Sequence, residues 1–201
     1  MLPNKISHTR QRGFTLLEVA IVLLVIGLLL GNVLQGQQVV EGARIKRLAA
    51  ETLVFSEALR TYRSLYDAWP GDDPRATQRW PGARNGNGDG VINGHWLPEA
   101  ADEETGLVWS HLRYARLITG EGGDTTPPRH FLGGRVGVGE RVLGLPGLAV
   151  CLAEIPGPVA AGYDRQFDDG VWNAGRMRSS APVTASGQGD PEAVVWVCTG
   201  M

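Results

Sequence analysis

From Phe14 to Leu34 the chain reads FTLLEVAIVLLVIGLLLGNVL, and the only ionisable side chain in that stretch is Glu18. A helix rises about 1.5 Å per residue, so this run is long enough to cross a hydrocarbon layer of about 30 Å. Lys5, Arg10 and Arg12 precede it, and the next basic residue is Arg44. Because flanking positive charge stays on the cytoplasmic side, the run reads as a single-pass segment with the N-terminus in the cytoplasm and the rest of the chain across the membrane. A secretory signal peptide also opens with basic residues and an apolar stretch. Here no small-x-small site closes the run, where Gly31, Asn32 and Val33 lead on to Leu34, Gln35 and Gly36. A carboxylate such as Glu18 costs about 2.5 to 3.5 kcal/mol in hydrocarbon on insertion scales, so it needs a partner.

Arg12-Gly13-Phe14-Thr15-Leu16-Leu17-Glu18, placed between a basic leader and an uninterrupted apolar segment, resembles the prepilin processing site of type IV pilins and type II secretion pseudopilins. The resemblance implies cleavage between Gly13 and Phe14 by a prepilin peptidase, N-methylation of Phe14 by its methyltransferase, and a role in assembly for Glu18. It implies an α+β type IV pilin fold, a long N-terminal helix packed against a loop-rich antiparallel β-sheet head. The domains expected are a leader over 1–13, a helix over 14–66 and a head over 67–201. The helix divides into a transmembrane or assembly half, 14–34, and an amphipathic half, 35–66. A leader this short resembles the type IVa and pseudopilin side of the family. Physical logic agrees: cleavage would create a new amine one turn from Glu18, and two buried opposite charges can neutralise each other where either alone is expensive. In the family that pairing is thought to join neighbouring subunits, which would let Glu18 dock an incoming copy.

Beyond the apolar run, Ile45, Leu48, Thr52, Phe55, Leu59, Tyr62 and Tyr66 recur at alternating spacings of three and four, the stripe of an amphipathic helix. The expected partner of that stripe is the protein's own head, in preference to a dimeric coiled coil. Gly27, Gly31, Gly36 and Gly42 punctuate the helix. They fit either close helix packing or a weak point between Gly31 and Gly42 that unwinds on assembly.

The head is rich in turns, with most of the chain's 28 Gly and 12 Pro. Trp69-Pro70-Gly71-Asp72-Asp73-Pro74 should end the long helix. The stretch from Asn85 to Asn93 places oxygen-bearing groups at alternate positions before glycines and resembles the first half of an EF-hand or dockerin-like calcium loop. Asn85, Asn87, Asp89, the Val91 carbonyl and Asn93 would be its ligands. It departs from that pattern in opening on Asn and in holding Trp96 where the bidentate Glu belongs, so Asp72, Asp73, Glu99 or Asp102 would have to fold back. A Gly/Asn turn loop with no ion is the other reading. A second helix is expected over 102–119 with Gly120 as its stop, and strands over 135–145, 148–155, 170–177 and 193–198. Asp164 to Gly170 reads as a turn whose carboxylates cap backbone amides, and a second cation site at Asp168 and Asp169 is the alternative. Cys151 and Cys198 have neither a CxxC spacing nor a Cys/His cluster beside them, and a disulfide suits an exported head. Such a bond is similar to the C-terminal disulfide of many pilins.

No GxSxG, HExxH or P-loop occurs, and His95, His111 and His130 lack the close spacing of a metal cluster. The chain reads as a substrate of the prepilin machinery, not as an enzyme, and with no cofactor other than a possible calcium ion. The leader takes up three of the basic residues, which leaves the remainder more acidic than the net charge of -2, so direct nucleic-acid binding is not expected. The expected function is a structural subunit of a type IV pilus or type II secretion filament, made of copies of itself and other pilins. It would sit in the inner membrane with a periplasmic head before assembly, and in a periplasmic or extracellular filament afterwards. The alternative is a minor pilin or tip adhesin whose head binds a surface or DNA through Trp69, Trp80, Trp96 or Trp172.

Overall fold

The structure, a computed structural model, describes residues 15–183 and 193–201, with the side chains of 29–38 excepted. The leader 1–13 and Phe14 lie outside it. Helix α1 runs from Leu16 to Tyr66. Thr15 caps its start, the Glu18 amide donating to Thr15 Oγ1 at 3.2 Å, which fills one of the donors a helix N-terminus leaves open. The chain falls into two compact units, Met1–Glu41 and Gly42–Met201. In the first, Leu16, Leu17, Leu23 and Leu24 are exposed, as are most large apolar side chains from Leu16 to Leu28.

In the second unit the expected stripe is the buried face of α1. Ile45, Leu48, Thr52, Leu59 and Tyr62 are buried, while Phe55 and Tyr66 are partly so. Thr52 is accommodated because its hydroxyl donates to the Leu48 carbonyl, so no polar group is left unmet. This face packs on an antiparallel sheet of β1 (Val136–Glu140), β2 (Leu148–Pro156), β3 (Met177–Ser179) and β4 (Val194–Gly200), in the order β1-β2-β4-β3. Side chains alternate across the sheet. Val136, Val138, Val150, Leu152, Val195 and Val197 join the α1 core, whereas Ala149, Cys151, Ala153 and Cys198 lie in a second cluster with Trp96 and Trp196. The fold is therefore α+β, a helix against a four-stranded antiparallel sheet, consistent with the expected pilin-like architecture.

Gly137 and Gly139 within β1 make room for Trp96, since a Cβ at either would collide with that residue, and the Val138 amide donates to the Trp96 carbonyl. Gly162 does the same for the helix, where a Cβ would press on Ile45 Cδ1.

Several local expectations are corrected. The second helix, α3, covers Glu104–Tyr114 and stops short of 119. Arg116 takes a left-handed φ of 57°, the Leu117 amide reaches the Leu112 carbonyl and the Arg116 amide that of Arg113. That is a Schellman end made without glycine, so Gly120 was the wrong stop signal. The strand expected over 135–145 ends at Glu140, because Arg141 and Leu143 both adopt left-handed φ and a 3-10 turn follows over Val142–Gly144. The one expected over 170–177 is turn until β3 begins at Met177. A helix that sequence reading missed, α4, spans Gly157–Phe167, with the short α2 at Ala76–Arg79. Pro158 in its first turn was the available signal, since proline loses nothing there.

Candidate functional site

Glycine and acid turn chemistry after α1 gathers the second unit's polar residues around Pro70–Pro74. Gly71 has φ of 91° and lies so close to α3 that a Cβ would collide with the Glu104 carbonyl. This contact sets the next two residues inside the fold, and Asp72 and Asp73 are both buried. Asp72 Oδ1 accepts from the amides of Gly88 at 2.7 Å and Asp89 at 3.0 Å, and its Oδ2 accepts from Gly90 at 2.9 Å. Glu104, the first residue of α3, takes the Asn87 amide on Oε1 and the Asn93 amide on Oε2, each at 2.8 Å. Two acids thus hold five backbone amides of the loop from Asn87 to Asn93. Gly86 admits the approach, since a Cβ there would strike the Gly71 carbonyl and Asp72 Cα. Burial pushes the Asp72 carboxyl above its ordinary value, the three amides opposing and the nearby Glu104 charge adding to the rise.

Asp73 faces the other way. It accepts the Tyr62 hydroxyl at 2.7 Å and the Arg75 amide at 2.9 Å, and forms an ion pair with Arg79. His111, fully buried on α3, stacks on Tyr62 and accepts the Gly71 amide on Nδ1 at 2.9 Å, so Nε2 is the protonated nitrogen that donates to the Arg84 carbonyl at 2.7 Å. Burial holds its pKa below the usual histidine value, Arg79 lowering it further while the Arg84 carbonyl and Glu104 pull it up. Burial likewise raises the Tyr62 phenol.

The expected ligand set is only partly assembled. Asn85 Oδ1 accepts from the Thr77 amide, Asn87 Oδ1 from the Asp89 amide, and Asp89 Oδ1 from the Val91 amide. The side-chain amides of Asn87 and Asn93 donate to Asp89 Oδ2. Of the four acids named as candidates to fold back, Asp72 does, Asp73 is engaged elsewhere, and Glu99 and Asp102 are exposed. Glu104 joins the set unexpectedly, and oxygens of Asp72, Asp89 and Glu104 lie within 4.8 Å of one another. As folded, this donor set is already engaged in hydrogen bonds. Asp72 Oδ1 and Asp89 Oδ2 each accept two N–H donors, and Asn85 Oδ1, Asn87 Oδ1 and Asp89 Oδ1 accept one apiece. The second acid cluster is used similarly: Asp164 caps Gly170, Asp169 caps Val171 and Asp168 caps Met177, which is the amide-capping turn expected of this stretch.

Cys151 and Cys198 stand directly opposite in β2 and β4 and form a disulfide, with Cα atoms 4.0 Å apart. It lies in the outer cluster with Trp96, whose ring stacks on Trp196 at 4.8 Å.

At the other end, Glu18 sits at the third position of α1, the one acid in its exposed apolar opening. Residues 8–31 match the family model of the prokaryotic N-terminal methylation motif, the hallmark of type IV pilin and pseudopilin prepilins. The chain carries the N-terminal methylation motif of prepilins. Comparison with curated proteins and with solved structures found no match. Among the described residues no helix of the chain is long and apolar enough to cross a membrane. The expected span 14–34 includes Phe14 and the side chains of 29–34, which lie outside those residues, as do Gly13 and the cleavage bond.

Among the described residues, the histidines serve the chain's own backbone. His130 Nε2 meets the Ala153 carbonyl and its Nδ1 accepts from Leu132, and the exposed His95 lies against Leu97. Of the tryptophans offered as a recognition surface, Trp96 is buried, while Trp69, Trp80 and Trp172 are partly buried. Arg63 covers the Trp69 ring and Tyr114 stacks on Trp80. Sequence reading missed Glu104 as the loop's second anchor. Its signal was its place in the first turn of a helix, where an acid sits well beside backbone amides.

Proposed function

We propose that the prepilin is a structural subunit of a type IV pilus or a type II secretion pseudopilus. It is held in the inner membrane by the segment 14–34, with its head in the periplasm, until prepilin peptidase cuts between Gly13 and Phe14 and Phe14 is N-methylated. It then joins a homo-oligomeric filament, alone or with other pilins, through α1. The observation that carries this reading is the methylation motif lying on an exposed apolar helix opening with one acid, Glu18. An apolar face left exposed among the described residues gains most by packing on copies of itself, and Glu18 finds its cation in the new amine of a neighbour. The loop from Asn85 to Asn93 we read as cation-free, its amides gathered by Asp72 and Glu104.

Mass spectrometry of the mature N-terminus tests the reading. A peptide starting at N-methylated Phe14 is expected. An intact Met1, or a cut after Leu34, would overturn it. The share of this chain in sheared filaments then separates a major subunit, which dominates, from a tip subunit, which is trace.

A further inference from the structure

A groove of about 450 Å³ runs over the second unit between the outer face of α1 and the end of α4. Its apolar floor includes Ala49, Leu53 and Phe167, with Leu53 and Phe167 more than half exposed. Lys46, Arg60 and Arg176 line the same groove, against a single acidic side chain, Glu57. Among the described residues none of these three cations takes part in an ion pair. The surface is therefore apolar at its base and positive at its edge.

Elsewhere on the same unit the chain presents the opposite surface. Glu99, Ala100, Ala101 and Asp102 are all exposed, two acids flanking two small apolar residues. The turn is already shaped, because the Glu103 amide donates to the Ala100 carbonyl, the Ala100 amide to Glu103 Oε1, and Arg84 to the Ala101 carbonyl. A preformed turn gives up little conformational freedom on docking.

We propose that the groove receives the Glu99–Asp102 turn of a second copy, with Ala100 and Ala101 on its apolar floor and the two acids against Lys46, Arg60 and Arg176. A contact between two different patches of identical subunits is heterologous and propagates, generating a ring or an open helix. The inference rests on the filament reading and adds to it a head-to-head contact that fixes which neighbour each head touches. Opposite charge at the edge sets partner and register more than it adds affinity.

The test uses the full-length chain in bacterial membranes. Lys46→Glu/Arg60→Glu should lower the yield of sheared filaments about tenfold, since like charges then face each other, and Glu99→Lys/Asp102→Lys should do the same. All four together should restore most of the yield. Processing at Phe14 and an intact Cys151–Cys198 bond on a non-reducing gel report that each exposed-site variant is folded. Normal filaments from either charge reversal, or no recovery in the combination, would sink the proposal. If the processed wild type yields no filaments at all, the subunit reading fails instead. Leu53→Cys and Ala100→Cys copies expressed together then decide the contact separately: a cross-link between copies supports it and its absence rejects it.

Discussion

Replacing Asp72 separates two roles of one buried carboxylate, its acceptor oxygens and its charge. Its oxygens receive three backbone amides, from Gly88, Asp89 and Gly90, at 2.7 to 3.0 Å. Hydrogen bonds to a charged acceptor are each worth about 1.5 to 3 kcal/mol net. The total is reduced in two ways: the loop glycines are exposed and their amides can return to water, and burial beside Glu104 penalises the charge. Asp72→Ala should therefore cost about 3 kcal/mol. Asp72→Asn keeps the shape and one acceptor oxygen, loses the Gly90 bond and is spared the buried charge, and should cost about 1 kcal/mol. The pH dependence has a definite sign. Because the folded carboxyl titrates above its unfolded value, the native state holds the proton longer, and the wild type loses stability as pH rises from about 3.8 through the raised value. The Asn variant lacks that loss, so its deficit should shrink between pH 3.5 and pH 7. Urea unfolding of the full chain in detergent, followed by tryptophan fluorescence, measures both quantities. An Asn variant as damaged as the Ala variant, or a deficit that grows with pH, would refute the reasoning.

Four further outcomes are expected. Adding calcium or a chelator should leave the thermal midpoint of the head unchanged, and a calcium-dependent rise of several degrees would return the Asn85–Asn93 loop to the metal sites. His111 titrates below its unfolded value, so its contribution is complete above about pH 6.5 and is lost as pH falls below it; the urea midpoint should drop from pH 7 to pH 5, and a His111→Gln variant should show a flatter slope. Removing the disulfide as Cys151→Ala/Cys198→Ala opens a closure spanning 47 residues and should cost about 4 kcal/mol on the chain-entropy account, a loss under 1 kcal/mol arguing that the strand pairing alone holds that edge. Glu18→Ala should still be processed at Phe14 yet yield few filaments, and normal yield would remove Glu18 from the assembly step.

Periodicity and a short motif are local properties, and they made helix α1 and the methylation signal legible. The α1 stripe from Ile45 to Tyr66 could be read off its spacing because a helix turns every 3.6 residues whatever it packs against. The methylation motif is likewise a contiguous string. Cys151 and Cys198 could be paired because the chain offers no other thiol. Tertiary structure decided what depended on distant neighbours. Arg116 ends α3 in place of Gly120, a left-handed residue that backbone bonds to Leu112 and Arg113 make tolerable. The alternating oxygens from Asn85 to Asn93 suggested a cation, yet Asp72 and Glu104, brought from elsewhere in the chain, supply the negative charge and take the amides themselves. Which groups meet across a fold is set by packing, and a string of residues carries no record of the partner that will fill its hydrogen bonds.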